Sequence, residues 1–256
     1  KVTRPGELSG FSCAVGLGGL VDDTGHCPTL NPGVSLSKPN AAAAVPTRAH
    51  HKFWPKRLPH SITPPETSLW DNLAISAKRY PSKTAMVFFG RETSYRELAE
   101  QAERLAAHLF KLGVRKGDRV VLNMQNCPQL IVAHFAILRA NAVVVPVNPM
   151  NRADELTHYI TDPDAKVAIT TGDLAPELAK ASDTLPAGQG LAHLIVTQFT
   201  DGMANDQVRE DIPIAWQDWL LTAYSLPTAT GAQTHAWAQA VACMSSVAPH
   251  TAGAED

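Results

Sequence analysis

No stretch of the 256-residue chain approaches the ~20 consecutive apolar residues that a membrane-crossing helix needs, so no transmembrane segment is expected. Neither sign of charge dominates. The 22 Lys and Arg stand against 24 Asp and Glu, a formal net charge of −2. This balance offers no electrostatic reason to expect a nucleic-acid or acidic-membrane partner. The four cysteines (Cys13, Cys27, Cys127, Cys243) form no C-x-x-C pair, which removes the usual zinc and dithiol signatures. Free thiols and a reducing, cytoplasmic setting are the expectation. Phosphate and nucleophile motifs are missing as well: no G-x-x-x-x-G-K-[ST], no G-x-S-x-G, no H-E-x-x-H. "GLGGLV" (16–21) begins like a dinucleotide fingerprint, but it ends in Val21 and follows no strand pattern. Residues 11–20 are apolar yet broken by glycine, and the acidic pair Asp22–Asp23 follows, which argues against a secretory leader.

What is present divides into three parts. Residues 1–52 are rich in Gly, Pro, Ser and Ala without helical or strand periodicity, and are expected to be a disordered or non-native extension. Residues 53–200 alternate strand-like and helix-like segments. Ser68 and Asp71 predict a helix start, with Leu69, Leu73, Ala77 and Tyr80 on one face and Pro81 ending it. "TAMVFF" (84–89), a turn at Gly90–Arg91 and "ETS" read as a hairpin. Ser94 and Glu97 form an S-x-x-E capping box; Leu98, Ala102, Leu105 and Leu109 make its helix's apolar stripe, and Gly113 suits its end.

Further strands are expected at 119–124, 143–147, 166–170 and 193–198. Helices opening at Asn126/Gln129, Asn151/Asp154 and Asp173 should separate them. "VVVPV" (143–147) is apolar throughout, which predicts burial on both faces. The alternation implies an α/β fold with a mainly parallel sheet flanked by helices. Residues 201–256 read as a weakly structured continuation, with one helix at 212–223 and one near "HAWAQAVAC".

Individual side chains give little chemistry. His50 and His51 supply too few ligands for a metal. His134, Trp216 and Trp219 fit core packing, and Cys127 fits a buried reduced thiol. Composition and pattern therefore describe a soluble α/β domain with no visible active site.

Two stretches go further. "TSYREL" (93–98) resembles the motif L-[TS]-Y-x-E-L of the adenylate-forming acyl-CoA synthetase superfamily, with Thr93 in place of Leu. "ILRANAVVVPVNP" (137–149) resembles that superfamily's L-K-A-G-x-A-Y-V-P-I-D, with Arg139 for Lys, Asn141 for Gly and Asn148 for Asp. The resemblance covers about residues 53–200, and "VNPMNRADEL" is most similar to fatty-acid–CoA ligases.

The resemblance implies the incomplete N-terminal part of the large domain of an adenylate-forming enzyme. The full-length family uses ATP, Mg2+ and coenzyme A to convert a carboxylic (fatty) acid to its acyl-CoA through an acyl-adenylate. The family's phosphate loop, T-S-G-T-T-G-x-P-K-G, is not found, and "HTAGAED" (250–256) is similar to its lead-in. A chain truncated before that loop, inactive alone and binding none of these cofactors, is the expectation. No catalytic, cofactor-binding or metal residue is assigned. Glu97 is read as a cap and Arg139 as a solvated helix position. A non-catalytic α/β binding or interaction module, using the open sheet edge and the tryptophan-bearing tail, is the alternative. The particular acid and the oligomeric state are not legible in the sequence.

Overall fold

The computed structural model describes residues 48–204, 212–222, 226 and 231–256. The chain divides into two units, Lys1–Ile62 and Thr63–Asp256. The described part of the first is a 3-10 turn, Ala49–Phe53, followed by turns and bends in which the Leu58 N–H donates to the Pro55 carbonyl. Its His51 ring stacks on His60 at 4.2 Å, and the Trp54 indole donates to the Pro59 carbonyl. The expected extension at 1–52 lies almost wholly outside the described residues.

The second unit opens with helix α1 (Leu69–Arg79). Its N-cap is Ser68: the hydroxyl oxygen accepts from the Asp71 N–H, and the Asp71 carboxylate accepts from the Ser68 N–H. The buried face is Trp70 and Leu73, whereas Leu69 and Tyr80 are exposed. Leu73 is buried as expected, but Trp70 takes the place of Leu69 and Tyr80 on the buried face because it supplies the larger surface to bury.

Strands β1 (Thr84–Phe88) and β2 (Arg91–Ser94) form an antiparallel hairpin. Its turn is Phe89–Gly90, with φ of 41° and 74°, rather than Gly90–Arg91. Positive φ at both central residues matches the right-handed twist of the strands.

Helix α2 (Tyr95–Lys111) starts where Ser94 and Glu97 predicted. The Glu97 carboxylate accepts from the Ser94 N–H at 2.7 Å, and the Ser94 hydroxyl accepts from the Glu97 N–H at 3.3 Å. The Ser94 backbone N–H first, and then the Ser94 hydroxyl donating to the same carboxylate at 2.9 Å, hold the Glu97 carboxyl below its ordinary range. Ser94→Ala is expected to cost ~1 kcal/mol, read as a lower denaturant midpoint. At the other end Gly113, at φ 97°, lets its own N–H reach the Phe110 carbonyl and the Val114 N–H reach Leu109. This paired closure leaves fewer orphan carbonyls on the last turn.

Five parallel strands follow: β3 (Arg119–Asn123), β4 (Val143–Val147), β5 (Val167–Thr171), β6 (His193–Thr197) and β7 (Gln233–Ala236). Their order is β4-β3-β5-β6-β7. Helices α3 (Pro128–Arg139), α4 (Ala153–Thr161), α5 (Ala175–Asp183) and α7 (Trp237–Val241) cover the sheet. One face packs against α1, α2, α3 and α7 through Leu105, Leu109, Ile137 and Trp237. The other packs against α4 and α5 through Leu156, Ile160 and Leu178. Helix α6 (Ile214–Leu221) joins a small cluster of Met203, Ile212 and Leu220. Among the described residues no helix is long and apolar enough to cross a membrane.

The expected α/β fold is observed, with further local corrections; among them, α4 is capped at Arg152 with Glu155 rather than at Asn151 with Asp154. Strand β4 is an edge strand with Val143 about half exposed, not a strand buried on both faces. Pro146 is the overlooked sign, since proline cannot donate to a central ladder. Helix α3 is capped at Cys127 without a side-chain bond, so Asn126 and Gln129 form no box. Helix α5 begins after Leu174 and uses no Asp173 cap. The sheet does not end at β6; β7 pairs with it in parallel, from His193↔Gln233 to Val196↔Ala236. Its sequence, "QTHA", is too polar to stand out as a strand.

Candidate functional site

In an open parallel sheet, ligands bind at the carboxyl ends of the strands where the strand order reverses. Here the reversal lies between β3 and β5, because β4 was added on one side and β5, β6 and β7 on the other. The strands end there in polar residues: Asn123 on β3, Thr170 and Thr171 on β5, Thr197 on β6. All four are essentially inaccessible, and Gln129 from the first turn of α3 joins them. Register divides the set between the faces. Thr171 pairs with Thr197 and shares the α3 face, while Asn123 pairs with Thr170 and faces the other way.

On the α3 face the groups form a chain. The Gln129 amide donates to the Gln198 carbonyl at 2.7 Å and to the Thr197 hydroxyl at 3.3 Å. That hydroxyl donates to the Asp201 carboxylate at 3.0 Å, which also accepts the Gln198 N–H at 2.9 Å. A Cβ at Gly202 would sit 2.7 Å from Gln129 Oε1 and 2.9 Å from Pro128 Cδ, so this loop reaches α3 only with glycine there. Three buried oxygens at this edge lack a hydrogen-bond partner: Asn123 Oδ1, Gln129 Oε1 and Thr171 Oγ1.

A nucleotide triphosphate needs convergent donors and positive charge. This edge offers two amide carbonyl oxygens, hydroxyls and the Asp201 carboxylate. Arg91 approaches, but its guanidinium donates to the Asp201 main-chain carbonyl at 3.3 Å. Among the described residues no group of three or more His, Cys, Asp or Glu could hold a metal ion. These residues therefore fit neither the triphosphate nor its magnesium.

The single side chains weighed from sequence fall into structural places. Cys127 is a free, buried thiol, pushed up to about 11 chiefly by burial, which keeps it protonated and unreactive at neutral pH. His134 is half-buried, and burial lowers its pKa. Trp219 packs on Phe199 at 5.5 Å and its indole donates to Asp173, but Trp216 is half-exposed and is not core.

Arg139 departs from its expected role as a solvated position. Its guanidinium bonds Glu103 at 2.7 Å and the Ala248 carbonyl at 2.8 Å, and lies over the Trp70 ring at 5.8 Å. Two residues on, Asn141 has φ 60°. Its amide nitrogen donates to the Pro249 carbonyl at 3.0 Å, and its oxygen accepts the Thr251 and Ala252 N–H groups at 2.7 and 3.0 Å. The α3–β4 joint thus clamps residues 248–252. The left-handed φ explains why this position takes Gly or Asn, and the side chain explains what Asn adds.

A family model described as "AMP-binding enzyme" matches residues 73–243. A long-chain-fatty-acid–CoA ligase of Bacillus subtilis (strain 168) is 35% identical over 127 residues, covering 50% of this chain and 23% of the relative. One from Escherichia coli O157:H7 is 34% identical over 179 residues, covering 69% of this chain and 31% of the relative. The chain thus spans about a quarter to a third of the length of these relatives. Among solved structures, a benzoate CoA ligase from Burkholderia xenovorans LB400 superposes with a TM-score of 0.52 at 23% identity. It covers 72% of this chain and 30% of that one, and supports the fold.

Proposed function

Because the chain belongs to the AMP-binding enzyme family, we propose that it is the scaffold-forming, N-terminal portion of an ATP-dependent acid–CoA ligase that acts on a fatty acid. The complete protein would use ATP, Mg2+ and coenzyme A in the cytoplasm, and release AMP and pyrophosphate. The observation that carries the reading is the 73–243 match, which takes in the α3–β4 joint. The two ligase relatives above name the reaction class. The present residues would supply packing and the 248–252 clamp, while the groups that hold phosphate would come from further sequence. On this reading the 256 residues alone are inactive.

The test is ATP- and acid-dependent pyrophosphate release by the protein translated from the whole reading frame around these residues. Turnover with a fatty acid and coenzyme A is expected. A frame that adds no phosphate-binding loop and yields a stable, inactive protein would favour the interaction-module alternative.

A further inference from the structure

At the opposite, amino-terminal edge of the sheet, three histidines from three elements meet: His108 of α2, His193 at the start of β6 and His235 of β7. His193 Nδ1 and His235 Nε2 lie 3.1 Å apart in a hydrogen bond. The His108 ring meets the His235 ring edge-on at 5.2 Å, and His108 Nε2 is buried without a partner. The three rings line a groove of about 490 Å3 together with Lys111 and Cys243, and among the described residues no carboxylate lines it. Asp118, Arg119, Asp164 and Lys166 line the neighbouring hollow on the other side of His193. There Asp164 is paired with Lys166 at 2.8 Å, the Asp118 carboxylate accepts the Arg115 N–H, and Arg119 bonds the Pro163 carbonyl.

We propose that His108, His193 and His235 form a proton-operated latch that holds the β7–α7 segment on the sheet while the imidazoles are neutral and releases it in mildly acidic solution. The proposal is independent of the ligase reading.

The His193–His235 bond needs one nitrogen as donor and the other as acceptor; with both rings protonated no acceptor remains. Three cations beside Lys111 would repel in a half-buried groove. Since no three such groups are placed for a metal among the described residues, the proton is the ligand this cluster can take. Strand β7 is also the part best suited to release. It has four residues, lies at the sheet edge, and α7 behind it has five.

The sign follows from the shifts. Burial lowers all three, with the neighbouring histidine also lowering His235. His108 falls to about 4, from burial first and then from His235, Lys111 and His193. A histidine depressed in the folded state contributes stability that is complete above the ordinary 6.5 and is lost as pH falls toward 4. For His108 alone the opening constant should rise about 20-fold between neutral pH and pH 5.

The experiment is native-state hydrogen exchange of the 256-residue chain between about pH 7.5 and 5, corrected for intrinsic exchange. Protection of residues 233–241 should fall at least about 20-fold relative to β5, and this differential should shrink to under about threefold in a His108→Phe/His235→Gln variant. Equal pH dependence in β5 and 233–241, or an undiminished differential in the variant, would overturn the latch. A wild-type NMR titration guards against a variant that fails to fold. Imidazole signals of all three histidines titrating below the ordinary range would support it, and ordinary titration in the closed state would overturn it.

Discussion

Replacing Asn141 by alanine is expected to lower the stability of the 63–256 unit by about 2–4 kcal/mol, a shift on the order of 1–2 M in urea midpoint. Two losses combine. Alanine at φ 60° meets the steric penalty of the left-handed region, ~1–2 kcal/mol, which asparagine tolerates better. The three bonds to Pro249, Thr251 and Ala252 also disappear, at roughly 0.5–1.5 kcal/mol each, partly offset by water at this rim. Asn141→Gly separates the two terms, since glycine accepts the dihedral but restores none of the bonds. Its midpoint should lie between wild type and alanine. A glycine variant less stable than the alanine variant would show that the backbone conformation is not the reason for Asn141. Hydrogen exchange at the Thr251 and Ala252 amides should rise in both variants, because both lose the oxygen that accepts from them.

The sequence revealed most where local chemistry and tertiary packing agree. The Ser94–Glu97 box, the Leu98–Leu109 stripe and Gly113 each specify the same helix, and α2 follows them closely. Central strand β5 is buried along its whole length, and its apolar run made it visible. Strand β7 was hidden because an edge strand flanked by a short helix can be polar and still pair. The capping expectations at Asn126 and Asp173 failed for a shared reason: nearby partners competed for the polar groups. Gln129 turns inward to Thr197 and Gln198, and Asp173 accepts from Trp219.

The polar carboxyl edge had one legible signal, the endings of β3, β5 and β6 in Asn or Thr. Nothing local says that Thr171 and Thr197 share a face with Gln129, since that depends on register between strands. Arg139 and Asn141 were legible as motif positions, but their clamp joins residues more than a hundred positions apart. Periodicity does not report such contacts.

Calorimetric titration of ATP with Mg2+ into the chain decides whether these 256 residues are scaffold without a phosphate cradle. A Kd of 1 mM corresponds to about −4 kcal/mol, which requires several donors aimed at the triphosphate. The carboxyl edge instead presents Asn123 Oδ1, Gln129 Oε1 and the Asp201 carboxylate. Scattered surface cations act only over a Debye length of ~8 Å at physiological salt. The expected result is no saturable heat at millimolar ATP from the 256-residue chain. The protein from the whole reading frame, titrated alongside, should bind at least about tenfold tighter, a difference of about 1.4 kcal/mol or more. Saturable binding by the 256 residues alone, weakened by Asp201→Ala or Gln129→Ala, would contradict the scaffold reading and place a nucleotide site at the carboxyl edge of the sheet.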